Sequence, residues 1–83
     1  MNNLDEDLLK YISEYNSRKI EELFEAHYAI DIALALQAMA EQDLEVFCRL
    51  VGNEQLASVL EEGSLMLRKR IVDLIDAERI VSV

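Results

Sequence analysis

The 83 residues include 17 acidic and 8 basic side chains, for a formal charge of −9, and 52% of them are hydrophobic. A chain of this length supports one core, and it is too apolar for intrinsic disorder. Its acidity sets it against nucleic-acid phosphates and anionic lipid surfaces, while attracting divalent cations or a basic protein surface and favouring solubility.

Domains this small bury only about 60–65% of the surface their unfolded chains expose, so a neighbouring domain or a second copy would add to the core. One cysteine cannot form an internal disulfide, which points to a reducing, cytoplasmic location. The opening MNNLDEDLL has no basic region and no long apolar run, so no signal peptide is expected. The longest near-apolar stretch, Ala26 to Ala40, is broken by His27, Asp31 and Gln37 and is too short to span a bilayer.

Apolar residues recur at helical spacing throughout, proline is absent, and no stretch reads as a strand. The first predicted helix covers about Leu4 to Tyr15, with Asp5, Glu6 and Asp7 at the positive end of its dipole. Its buried stripe is Leu4, Leu8, Ile12 and Tyr15. Ser17 caps a second helix through Ala26, in which Ile20, Leu23 and Phe24 face inward and Glu21, Glu22 and Glu25 face out. The third, from about Ala29 to Met39, is apolar nearly all round and should be central. A fourth runs from about Gln42 to Val51, with Leu44, Phe47, Cys48 and Val51 on one face.

Asn53 caps a fifth helix carrying Leu56, Val59 and Leu60. Ser64 opens a sixth, through about Ile75, whose stripe is Leu67, Ile71, Leu74 and Ile75. Asp76 caps a seventh bearing Ile80, Val81 and Val83. Gly52 and Gly63 follow the fourth and fifth helices and suit left-handed helix termini.

A shift of 24 residues superimposes the apolar positions. Ile32 falls on Leu56, Leu36 on Leu60, Phe47 on Ile71 and Val51 on Ile75; in the other direction Leu8 falls on Ile32 and Leu23 on Phe47. Each helix pair is too small to bury its own apolar face, so pairs must stack. The expected fold is all-α, a right-handed α-solenoid of about seven short helices in helix-pair repeats. The apolar seventh helix lacks a polar capping unit, so the chain is expected to be part of a larger protein or to dimerise there through Ile80 and Val83.

The repeat text resembles the intracellular N domain of MgtE-type magnesium transporters. Tyr28-Ala29-Ile30-Asp31-Ile32-Ala33 carries the aspartate, isoleucine and alanine that open that family's central helix, with Tyr28 and Ala29 in place of a histidine and a proline. Glu54-Gln55-Leu56-Ala57-Ser58-Val59-Leu60 looks like the later segment in which small residues precede a valine–leucine pair. The resemblance covers the chain from about Leu8 onward. It implies a regulatory, magnesium-sensing domain at the inner face of the membrane, docking on the CBS and transmembrane domains of a dimeric channel. Ser58 stands where the family often has an acidic, magnesium-contacting side chain. The same helical class is similar to the middle domains of flagellar motor switch proteins, which implies the alternative of a stand-alone protein-interaction module without metal sensing.

Magnesium takes carboxylate oxygens and retains waters, which makes Glu61 and Glu62, near Ser58, the local ligand candidates; a solvated face is the simpler account of them. Glu21, Glu22 and Glu25 form a second acidic face. Arg68, Lys69 and Arg70 are the basic cluster, suited to an acidic partner surface or lipid headgroups, although Lys69 can instead pair with Asp73 one turn on. His27 and Cys48 lack the third residue and glycine-rich turn of a nucleophile–base site, and they are too few for zinc. There is no phosphate-binding loop, and no enzymatic activity is expected.

Overall fold

A computed structural model of the chain describes residues 3–76 and Arg79. The described residues form six helices and no strand: α1 (Asn3–Ser13), α2 (Ser17–Ala26), α3 (Ala29–Gln37), α4 (Glu41–Leu50), α5 (Asn53–Glu62) and α6 (Leu65–Leu74). The seventh helix expected from Asp76, with Ile80, Val81 and Val83, falls outside the described residues apart from Arg79.

Alternate helices lie side by side, α1 against α3 and α3 against α5, with α4 against α6. Further contacts join α2 and α4 to α1, and α6 to α3 and α5. Helices α2, α4 and α6 begin at Ser17, Glu41 and Leu65 and end at Ala26, Leu50 and Leu74. Each ends with an extended residue whose N–H donates to the carbonyl four residues back: His27 to Leu23, Val51 to Phe47 and Ile75 to Ile71. The radius of gyration is 11.4 Å, near the roughly 12 Å of a globule this long, so six helices close on one core rather than extending into a rod.

That core collects the apolar stripes. Leu4, Leu8 and Ile12 come from α1, Ile20 and Leu23 from α2, and Ile32, Ala33 and Leu36 from α3; they meet Leu44, Phe47 and Cys48 of α4, Leu56 and Val59 of α5, and Leu67 and Ile71 of α6. Phe24 stacks on Phe47 with ring centroids 6.3 Å apart. No charged or polar side chain is buried among the described residues, so the core carries no cost of unpaired charge.

Several helix ends differ from the sequence expectation. Asn16, not Ser17, caps α2, its Oδ1 accepting from the Lys19 N–H at 3.2 Å; the amide is one residue better placed to reach the orphan donors of the first turn. Asn53 is the first residue of α5 rather than its cap, and Gly52 occupies the cap position. Ser64 does cap α6, accepting from the Leu67 N–H at 3.2 Å.

Neither glycine is left-handed. Gly52 (φ −76°, ψ 167°) and Gly63 (φ −78°, ψ 161°) are extended: Gly52 is itself the N-cap of α5, which requires β-region backbone, and Gly63 closes α5 one residue before the Ser64 cap of α6. Space is what Gly63 provides: a Cβ there would lie 2.8 Å from the Val59 carbonyl oxygen and 3.0 Å from Leu67 Cδ2.

Among the described residues the left-handed one is Tyr15, at φ 54°. The Asn16 N–H donates to the Tyr11 carbonyl at 2.9 Å and the Tyr15 N–H to that of Ile12 at 3.1 Å, the paired bonds that close a helix through a left-handed residue. This geometry swings Tyr15 out of the stripe expected for it, leaving it 69% exposed.

Candidate functional site

Helix carbonyls, not an external partner, occupy two of the three residues in the basic cluster. The last carbonyls of a helix have no intrahelical donor and carry partial negative charge, which a guanidinium satisfies with both hydrogen bonds and charge. Arg68, in the first turns of α6, reaches back over the Gly63–Ser64 link, donating from Nε to the Leu60 carbonyl at 2.6 Å and from Nη2 to that of Glu61 at 3.1 Å. Arg70 donates from Nη1 to the Gln37 carbonyl at 3.0 Å, from Nη2 to the Met39 carbonyl at 2.5 Å, and from Nε to Glu41 Oε1 at 2.8 Å. It thus clamps the end of α3 to the start of α4.

Arg79, not singled out in the sequence, does the same one junction later. Its guanidinium donates to the carbonyls of Cys48 and Val51, the latter at 2.6 Å, and to Asn53 Oδ1 at 3.0 Å, joining the end of α4 to the start of α5. Lys69 is exposed and forms no ion pair with Asp73, contrary to the spacing expectation; both side chains extend into water, where such a pair gains little. Ile80 and Val83, the other interaction candidates, lie outside the described residues.

Glu61 and Glu62 stand exposed at the end of α5. Among the described residues no ion pair reaches either, and no three histidine, cysteine, aspartate or glutamate side chains converge where they could hold a metal. The Ser58 hydroxyl donates to the Glu54 carbonyl at 3.1 Å. Ser58 and Glu54 border an open depression with Phe24 and Ala29, which places Glu54 beside the start of α3. On α2, Glu22 pairs with Arg18 at 4.0 Å and Lys19 at 3.6 Å, relieving part of that acidic face.

His27 is exposed at the end of α2, whereas Cys48 is buried on α4. Burial pushes the Cys48 thiol up to about 11; Arg79 opposes this and Glu45 adds to it. A thiol held protonated in this way is packing material, not a nucleophile.

The larger surprise is α3. It packs on α1, α5 and α6, yet Ile30 is 47% exposed, Leu34 60% and Tyr28, its N-cap, 81%. Ala38 continues the row one turn beyond Leu34, beside Leu9 of α1 in a depression of about 200 Å³. The sequence does show an all-round apolar helix, but its periodicity does not show that one side stays uncovered. No helix of the described residues is long and apolar enough to cross a membrane.

Comparison with known families, curated proteins and solved structures finds no match.

Proposed function

We propose that the chain is a helical interaction module of the α-solenoid class, built from 24-residue helix pairs and acting by docking rather than by catalysis. The observation that carries this reading is the uncovered row Ile30, Leu34 and Ala38 on a helix whose other sides are packed. A helix apolar all round belongs in an interior, so the open side of α3 is a surface awaiting a cover. The recurrent boundaries of α2, α4 and α6 and the side-by-side order of alternate helices support the repeat architecture.

The regulatory N domain of an MgtE-like magnesium transporter is the specific form of this module that the sequence resembles, acting in the cytoplasm beside CBS and transmembrane domains. Glu61 and Glu62, adjacent and with no cation partner among the described residues, favour that form, since magnesium needs only one or two carboxylates when it retains its waters. Self-association through Ile80 and Val83 belongs to the same reading.

A residue-resolved NMR titration with magnesium at millimolar concentration, against sodium at matched ionic strength, separates the two forms. Saturable shifts at Glu61 and Glu62 establish the metal-sensing form. A saturable response of Ile30 and Leu34 to a protein partner, with magnesium and sodium indistinguishable, establishes the metal-independent module.

A further inference from the structure

The exposed face of α3 has an acidic border, and that border selects the occupant. Ile30, Leu34 and Ala38 lie at four-residue steps, a strip about 12 Å long at 1.5 Å per residue. Asp31 adjoins it on α3 itself. On α5, packed along one side, Glu54 lies near Ala29, and Glu61 and Glu62 follow at the far end of that helix. On α1, packed along the other side, Asp5 lines the depression with Leu9 and Ala38, against which α1 also exposes Lys10. Arg70, the cation nearest the end of α3, is occupied by the carbonyls it clamps.

Resting on the interaction reading above, we infer that this face binds a basic amphipathic helix. Two turns of such a helix, with apolar anchors at i, i+4 and i+7 or i+8, match the strip in length and spacing, and lysines or arginines flanking the anchors meet the acids of α3, α5 and α1. A second copy is the poorer fit, because two identical faces would bring these acids together on chains that each carry −9. The exposed face of α6, with Leu65, Met66 and Val72, carries both Lys69 and Asp73 among its apolar residues, so its charge is mixed rather than of one sign.

The test uses three synthetic 16-residue helical peptides that share one leucine stripe and differ elsewhere, bearing lysine, glutamate or glutamine. Binding to the full chain is followed by fluorescence anisotropy near 0.15 M salt and mapped by NMR, with light scattering of the chain alone. The lysine peptide should bind one to one, at least about tenfold tighter than the glutamate peptide, and weaken several-fold at 0.5 M salt, because screening then confines charge attraction to a few ångströms. Ile30→Gln with Leu34→Gln should abolish binding, while Leu65→Gln with Met66→Gln should not; all four sites are exposed, and circular dichroism checks that each variant folds. Equal binding of all three peptides at Ile30 and Leu34 would overturn the basic partner while leaving the docking reading intact. No binding there, or a dimer dissolved by Leu34→Gln, would overturn the proposal, and the absence of any docking at this face would remove the reading on which it rests.

Discussion

Replacing Arg70 by methionine keeps the aliphatic stem and removes the fork that holds the end of α3 to the start of α4. Three acceptors lose their donor: the Gln37 and Met39 carbonyls and the Glu41 carboxylate. The Glu41 side chain is 63% exposed, so its ion pair is worth at most about 1 kcal/mol. The two carbonyl bonds matter more, because the Arg70 side chain is only 22% exposed and bonds from a charged donor contribute about 1.5–3 kcal/mol. A loss of about 2–3 kcal/mol follows, or roughly 10–20 °C in Tm for a domain of this size. Urea unfolding followed by circular dichroism should show a lower midpoint with an unchanged slope. Glu41→Gln should cost less than about 1 kcal/mol and Lys69→Met no more than about 0.5 kcal/mol. Arg70→Lys should behave nearly as methionine does, since an ammonium keeps the charge without the fork. If Arg70→Met costs no more than Lys69→Met, the clamp is not a stabilising feature of the fold.

Alanine at the two glycines should have unequal effects in the same urea assay. Gly63→Ala sets a Cβ 2.8 Å from the Val59 carbonyl oxygen and should cost about 1–3 kcal/mol. At Gly52 the near neighbour, at 2.7 Å, is the mobile end of Gln55, so the gain of about 0.4–1 kcal/mol from a less flexible unfolded chain is offset by the loss of a favoured cap residue, and alanine should be near neutral. Tyr15→Gly relieves a left-handed aromatic residue and should stabilise by about 0.5–1 kcal/mol; a loss would show that the exposed ring makes contacts that matter. Burial raises the Cys48 pKa from 9.0 to about 11, so the folded chain keeps a proton that the unfolded chain releases. This contribution to stability should be complete below pH 9 and lost between pH 9 and 11, in a component that Cys48→Ala removes. At neutral pH the thiol should react with iodoacetamide only after unfolding.

The six helices were legible because each repeats its apolar residues at three and four positions, and the stripes of Leu8 with Ile12, Leu44 with Phe47, and Leu67 with Ile71 are buried as the spacing requires. The helix ends were less so, for a physical reason. A glycine can serve a left-handed turn or a close approach, and its identity does not say which; at Gly63 it is the approach of Val59 and Leu67. Conversely, the left-handed position fell to Tyr15, which no propensity favours there, because the chain needs a Schellman-type closure between α1 and the Asn16 cap. The roles of Arg68, Arg70 and Arg79 were not legible at all. Arg70 acts on carbonyls more than thirty residues upstream, Gln37 and Met39 among them, a separation fixed by how α6 lies on α3 and not by local pattern.

That division bears on where function can reside. A basic triplet reads as a binding patch, but two of its three members are occupied in holding helix ends, so positive charge is withdrawn from the surface where the sequence placed it. Glu54, Glu61 and Glu62 of α5 have no such internal use among the described residues; all three remain exposed, and Glu54 lies near the start of α3. Periodicity reports how much of a helix is apolar, while the number of neighbours decides how much of it is covered. For α3 the two disagree along Ile30 and Leu34, and that disagreement is the feature of this chain on which the docking proposal rests.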